Sequence, residues 1–283
     1  MIDIKKIESR RLSTFLTNHY FINYGEFATV EEFLEYREWA RARDLPILVL
    51  GNGSNVLFTR FQVRTLVLKN RMEAKMGILS AGVVKASSSL SIMRILKHCE
   101  RESLDSFYYL ASVPATVGGA IAMNAGSASE TIFDFLESVT YWDGDSIVIK
   151  PATELIRAHR MTEFTGRTDK LIIEAVFRFP ARKLESSEIQ KRVKWCHDNQ
   201  DLSAPNCGSV FRECDRRIMK KVRWIVPWGV HIPFFFAQYS RKVNNWIICR
   251  NKSSWPIVFL IRIVQLIHRA FGSKAVPEII EVD

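Results

Sequence analysis

Residues 46–50, PILVL, run directly into Gly51-Asn52-Gly53-Ser54-Asn55. A strand that ends in such residues offers consecutive backbone N–H groups with no bulky side chains in the way. Glycine permits positive φ, so those groups can point into one concavity. Ser54 and Asn55 add side-chain donors. The arrangement suits a pyrophosphate, and it equally suits a plain turn between two strands. It is neither a G-x-G-x-x-G sequence opening a helix nor a Walker loop. A second small-residue strip covers residues 111–129, ASVPATVGGAIAMNAGSAS, with Gly118, Gly119, Ala120, Ala122, Asn124, Ala125 and Gly126. Such a strip lets a flat ligand approach the backbone closely; its bland alternative is a tightly packed strand-turn-strand. Two such strips in one domain favour a ligand.

The elements that must position these strips follow from periodicity and caps. Thr29 and Glu32 in TVEEFLEYREWARARD form a capping box ahead of an apolar face begun by Val30, Phe33 and Leu34. Residues 46–50 and 65–69 read as strands. Ile92, Ile95, Leu96 and Cys99 recur at helical spacing. KLIIEAVFRF, residues 170–179, alternates as a strand. PARKLESSE after it reads as a linker, with a domain boundary near Arg182. Pro256 stands where a first helical residue tolerates proline, and Gly272 where a glycine ends a helix. Strands and helices mix without regular βαβ alternation, which favours an α+β fold.

The chain has 283 residues, enough for two domains of ordinary size, and 47% apolar content, which is that of a globular protein. The formal net charge is +10, with the last hundred residues rich in base. An anionic small ligand or a solvated basic surface accounts for it. No zinc-finger or RNA-binding signature and no block of Lys/Arg interleaved with aromatics points to nucleic acid. The charged start, MIDIKKIESRRL, is unlike a secretory signal. Neither WIVPWGVHIPFFFA nor WPIVFLIRIVQLIHRAF reaches the ~20 clean apolar residues of a membrane span. Five scattered cysteines with no CxxC pair are expected to be free thiols in a reducing cytoplasm, and no metal site is expected.

PILVLGNGSNVLF, VPATVGGAIAMNAG and NCGSVF (residues 206–211), in this order and at these separations, resemble the UDP-N-acetylenolpyruvoylglucosamine reductase (MurB) family in its shorter form. The resemblance runs over nearly the whole chain. It implies a vanillyl-alcohol-oxidase (PCMH-type) FAD-binding domain at 1–182, followed by a smaller α+β substrate domain at 183–283. It implies that Gly51, Asn52, Gly53, Ser54 and Asn55 wrap the FAD pyrophosphate, and that Val113, Pro114, Thr116, Gly118, Gly119, Asn124 and Gly126 line the cofactor. No histidine or cysteine sits in either motif, so the FAD is expected to be non-covalent. The family uses NADPH to reduce FAD and passes hydride from flavin N5 to the vinyl carbon of an enolpyruvyl nucleotide sugar, giving a lactyl ether.

The same resemblance assigns the chemistry. LIRAHRMTEF, residues 155–164, matches the stretch that carries the catalytic arginine; its register selects Arg160 over Arg157. A permanent, forked charge can hold an enolate and a carboxylate together. Ser209 matches the proton-donating serine, Glu278 rather than Glu281 the catalytic glutamate, and Asn245 an asparagine of the substrate domain. Cys207 reads as a bystander. The chain also departs from the family. Ala115 and Ser112 replace glycines, Lys85-Ala86-Ser87 stands where Gly-Ala-Gly is usual, and Arg212-Glu213-Cys214 follows GSVF in place of Lys-Asn-Pro. Phe235 and Phe236 replace glycines, and His231 lies near an expected lysine. The departures are heaviest around the substrate. They leave two alternatives beside the ordinary reductase: a paralogue acting on another nucleotide sugar for a surface polysaccharide, and a non-catalytic FAD- or nucleotide-binding protein.

Overall fold

The computed structural model describes residues 2–127, 130–166, 170–225 and 237–283. His231, Phe235 and Phe236 lie outside them. The chain divides into two compact units, neither continuous. The first comprises Met1–Lys5, Asn23–Asn52 and Thr65–Cys196; the second comprises Lys6–Ile22, Gly53–Arg64 and His197–Asp283. One crossing falls between Asn52 and Gly53, inside the glycine loop. Another falls after Cys196, and Arg182 lies within the first unit, ion-paired to Asp105 at 2.7 Å.

Both units mix strands and helices as the sequence predicts. In the first, helix α1 (Val30–Arg41) starts where Thr29 Oγ1 accepts the Glu32 N–H at 3.2 Å. The Glu32 carboxylate reaches back to the Ala28 N–H at 2.6 Å, one residue beyond the reciprocal bond of a standard capping box. Phe33, Tyr36 and Ala40 of α1 pack on Ile47, Leu66 and Leu68. The strands Ile47–Leu50 and Leu66–Asn70 pair in parallel. A parallel pair cannot be closed by a hairpin. The chain between them makes a long excursion, and residues 53–64 of that excursion belong to the second unit.

A five-stranded antiparallel sheet completes the first unit, in the order Ile147–Pro151, Leu136–Trp142, Leu171–Arg178, Val83–Ser87, Met76–Ser80. Helix α2 (Ile92–Arg101) buries Ile92, Ile95, Leu96 and Cys99 completely, all at the expected helical spacing. The second small-residue strip does not form strand-turn-strand. It holds the short helix α3 (Val117–Ala122), whose N-cap Thr116 accepts the Gly119 N–H at 3.3 Å. Two adjacent glycines make poor helix. Tertiary bonds compensate, because the Val117 N–H donates to the Leu90 carbonyl and the Gly118 N–H to the Ser88 carbonyl, each at 2.8 Å.

Helix α4 (Glu188–Asn199) carries the chain into the second unit. There α5 (Arg216–Ile225) and α6 (Trp255–Ala270) enclose a core of Met219, Val222, Val210, Tyr239, Ile257, Leu260, Ile261 and Val264. Pro256 lies in the first turn of α6, and Gly272 follows its end at φ +68°, as expected. Short strand pairs frame the helices: Phe211–Glu213 with Val276–Pro277, Ala237–Tyr239 with Ile247–Cys249, and Val56–Phe58 with Ile280–Val282. The five cysteines are free. Among the described residues no helix is long and apolar enough to cross a membrane.

Removing the Leu96 side chain from this packed interior leaves a cavity, whereas Thr29 contributes only a cap. Leu96→Ala is expected to cost ~2–5 kcal/mol and Thr29→Ala ~1 kcal/mol. Urea denaturation followed by circular dichroism should rank them in that order.

Candidate functional site

In the first unit the structure gathers Gly51, Thr116, Gly118, Gly119, Asn124, Gly126 and Arg160 around α3. Gly51 follows its strand, and a Cβ there would stand 2.6 Å from Thr116 Oγ1. Lys69 Nζ donates to the Gly51 carbonyl, and burial pulls the Lys69 pKa below the usual lysine value. A Cβ on Gly118 would meet Ser88 Cβ at 3.0 Å. The glycines of the two strips therefore serve close backbone approach within this unit.

Arg160 sits at the turn of a tight hairpin, between Arg157–Ala158 and Met161–Thr162. Its φ is +55°, a left-handed conformation that costs a non-glycine residue ~1–2 kcal/mol. The strip holds the hairpin in place. Arg160 Nη1 donates to the Asn124 carbonyl at 3.1 Å and Nη2 to the Gly126 carbonyl at 2.6 Å. Thr162 and Thr165 hydroxyls both donate to the Ala122 carbonyl, at 2.8 and 2.7 Å. Asn124 Nδ2 returns a bond to the Ala158 carbonyl at 2.9 Å. A Cβ on Gly126 would lie 2.8 Å from Arg160 Nη1. The rival Arg157 lies instead over the Phe133 ring, 4.8 Å from its centroid.

Among the described residues five buried side-chain polar atoms of this unit have no hydrogen-bond partner: Ser106 Oγ, Trp142 Nε1, Arg192 Nε, Asn124 Oδ1 and Tyr109 Oη, of which Asn124 belongs to the strip and Tyr109 to the turn beside it. Asn124 also adopts a left-handed φ of +43°. The Tyr108–Leu110 turn packs beside the strand Gly126–Ser127. Burial, then the Asp134 and Glu130 carboxylates, keep the Tyr109 hydroxyl protonated, against the pull of Arg160. Nothing in the sequence singles out Tyr109 among seven tyrosines.

Glu163 is a second residue that sequence reasoning misses. Burial opposes its charge. Lys170 at 2.7 Å, the Ile156 N–H at 3.3 Å and Lys150 at 3.4 Å outweigh burial and hold its carboxyl below the usual range. It thereby braces the base of the Arg160 hairpin.

The departures from family glycines in this unit fall on permissive backbone. Ser112, Ala115 and residues 85–87 have no positive φ. Ala115 is buried without crowding into a left-handed turn, Ser112 hydrogen-bonds Cys196 Sγ at 2.9 Å, and Lys85 to Ser87 lie in a strand.

The second unit joins the remaining candidates. Gly53 has φ +67°, and a Cβ there would collide with the Leu12 carbonyl, so only glycine fits. Ser209 forms an antiparallel bridge with Trp246. The Asn245 side chain accepts the Phe211 N–H at 3.0 Å and donates to the Phe211 carbonyl at 2.7 Å, while its own carbonyl accepts the Val210 N–H at 2.8 Å. The Glu278 N–H donates to the Val210 carbonyl at 2.7 Å. Asn55 Nδ2 donates to the Glu278 carbonyl at 3.0 Å, and the Asn55 carbonyl accepts the Ile280 N–H at 3.0 Å. Ser209, Asn245, Glu278 and Asn55 are thus one bonded neighbourhood. Glu281 is engaged elsewhere, in a two-pronged ion pair with Arg262. Cys207 is buried; burial raises its pKa, against its hydrogen bonding with Thr14 and Ser13.

The fold and the cradle define a flavin-binding class of protein: residues 25–150 match the FAD binding domain family. The chain belongs to the UDP-N-acetylenolpyruvoylglucosamine reductase family. The reductase of that name from Aquifex aeolicus is 30% identical over 217 residues, covering 75% of this chain and 72% of the relative. That from Synechococcus elongatus is 29% identical over 266 residues, covering 90% and 86%. The crystal structure of the Thermus caldophilus reductase covers 100% of both chains with a TM-score of 0.76 at 20% identity, which shows a shared fold.

A depressed carboxylate contributes stability above its unfolded pKa and loses it as pH falls through the folded one. The wild type should therefore lose more stability than Glu163→Gln between neutral pH and the acid side of the ordinary glutamate range. Thermal melts of both proteins across that interval measure the difference; parallel pH profiles would remove Glu163 as the brace.

Proposed function

We propose that the protein is an FAD-dependent, NADPH-using reductase that converts an enolpyruvyl nucleotide sugar to its lactyl ether. The observation that carries this reading is the cradle in the first unit. Glycines keep it open to the backbone, and among the described residues the Asn124 amide oxygen and the Tyr109 hydroxyl are buried in it without partners. A flavin edge carries the N–H donor and carbonyl acceptors that such groups need. The FAD fits the residues present, and Gly51, Asn52, Val113, Pro114, Thr116, Gly118, Gly119, Asn124 and Gly126 would hold it. Gly53, Ser54 and Asn55 continue the pyrophosphate loop. Bound FAD would supply the hydride.

The chain's own groups supply charge and a proton. Arg160 brings a permanent cation to where an enolate develops. Ser209 is assigned the proton that completes the reduction, which requires its hydroxyl to be held in line. Asn245, matched to a substrate-domain asparagine, holds the backbone just past Ser209 through both polar atoms of Phe211. Glu278 is the third catalytic group, and its N–H is bonded to the residue after Ser209. We assign residues 1–182 to the cofactor and 183–283 to the substrate, in the cytoplasm. The ordinary peptidoglycan substrate, UDP-N-acetylglucosamine enolpyruvate, is the first to test. The glycine losses within the described residues, at 85–87, 112 and 115, place no side chain at a positive φ.

Purified protein should show the visible bands of oxidised flavin. NADPH oxidation should rise on adding the enolpyruvyl sugar. A colourless protein that takes up no FAD, or flavin turnover indifferent to every enolpyruvyl sugar, would refute the reading.

Ser209→Ala separates its chemical role from a turn role. FAD content and flavin reduction by NADPH should persist. Reoxidation by the enolpyruvyl sugar should slow by the ~10²–10⁴-fold that accompanies loss of a positioned acid. Equal, small effects on both half-reactions in stopped-flow would make Ser209 a turn residue only.

A further inference from the structure

From Arg216 to Pro277 the sequence holds no Asp or Glu, and it holds twelve Lys and Arg. That exceeds the net charge of the whole chain, +10, so the rest of the protein is slightly acidic on balance. The basic residues have a definite place in the second unit. On α5, Arg216, Arg217, Lys220 and Lys221 are all exposed, while Met219 and Val222 are buried on the opposite side. At helical spacing the four cations share one face. Among the described residues none of the four makes an ion pair. The first unit differs: Arg71, Lys85, Lys150, Lys170, Arg178 and Arg182 are all paired with carboxylates there.

The second helix of that unit adds apolar groups beside the charge. Trp255, Phe259, Arg262, Leu266 and Arg269 fall on one outward stripe of α6. Leu266 is 59% exposed, and Phe271 just past the helix is 74% exposed. The two helices meet at a fixed point: the Asp215 N–H donates to His268 Nε2 at 3.2 Å, and His268 Nδ1 donates to the Val264 carbonyl at 2.8 Å. This bond sets the start of α5, with Arg216 and Arg217, against the end of α6, with Arg269 and Phe271.

We propose that the outer faces of α5 and α6 dock the protein on an anionic lipid surface. Unpaired Lys and Arg are attracted to acidic headgroups. Exposed Leu and Phe beside them gain by entering the headgroup–acyl boundary, and arginine stems can lie along it. A nucleic acid would reward the charge but not an exposed leucine. Arg262 of the α6 stripe is paired with Glu281, but the four α5 cations are not paired among the described residues, and a second copy presenting the same cationic α5 face would be repelled. The interaction is peripheral and sensitive to salt.

Vesicle flotation of the purified full chain tests the proposal. Phosphatidylcholine vesicles containing about one third phosphatidylglycerol should carry the protein at low salt, and pure phosphatidylcholine should not; high salt should release it. Neutralising all four cations (Arg216→Gln, Arg217→Gln, Lys220→Gln, Lys221→Gln) should weaken binding at least about tenfold. A second variant, Leu266→Ser with Phe271→Ser, keeps the charge and should also weaken it, with an unchanged thermal melt. Four results would each overturn the proposal. They are no binding to anionic vesicles, equal binding to neutral ones, binding of duplex DNA without vesicle binding, and salt-dependent self-association in place of flotation.

Discussion

The bonds from the Arg160 guanidinium to the Asn124 and Gly126 carbonyls organise the first unit's site. They hold the strained Arg160 turn in its left-handed conformation. They also dictate their surroundings. Position 126 must lack a side chain, because a Cβ would collide with the Glu130 carbonyl as well as crowd Nη1. Residue 124 must turn left-handed, which asparagine does more readily than most residues. The Ala122 carbonyl at the end of α3 must be met by Thr162 and Thr165 hydroxyls from the hairpin side. Glu163, gripped by two lysines, braces the hairpin at its base. The arginine that would face the developing charge and the strip that would face the flavin are in this way one bonded assembly.

The second unit solves a similar problem with less regular structure. The strands around Ser209 are only two or three residues long, so ladders alone cannot place it. The Asn245 amide stands in for a neighbouring strand by meeting both polar groups of Phe211. Glu278 and Asn55 extend the same chain of bonds. A charge-assisted pair occupies Glu281 and fixes it to α6, whereas the Glu278 backbone is bonded to Val210 and Asn55.

Periodicity and caps made the long elements legible. Thr29, the Ile92–Cys99 spacing, and the Pro256 and Gly272 pair each mark an element boundary or face that the fold uses. The helix within the small-residue strip was not legible, because Gly118 and Gly119 oppose helix locally and only bonds to Ser88 and Leu90 form it. The discontinuous division of the chain was hidden for a related reason. Parallel pairing of 47–50 with 66–70 is a long-range choice, and the intervening residues read as a simple loop. Among the site residues, motif register distinguished Arg160 from Arg157, and the structure gives those two side chains different surroundings. Tyr109 and Glu163 lie outside every motif. Their significance comes from burial without a partner in one case and from two converging lysines in the other, and neither shows in local sequence.

The central claim is that residues 113–126, Gly51 and the Arg160 hairpin form one flavin cradle. Amide hydrogen exchange of the FAD-free and FAD-loaded protein, resolved by peptide, tests it most directly. The account predicts that FAD slows exchange in residues 113–126, in the 51–52 turn and in the 157–162 hairpin together, because the strip and the hairpin are hydrogen-bonded to each other and Gly51 lies against Thr116 of the strip. Unchanged exchange in all three, with protection arising elsewhere in the chain, would contradict it.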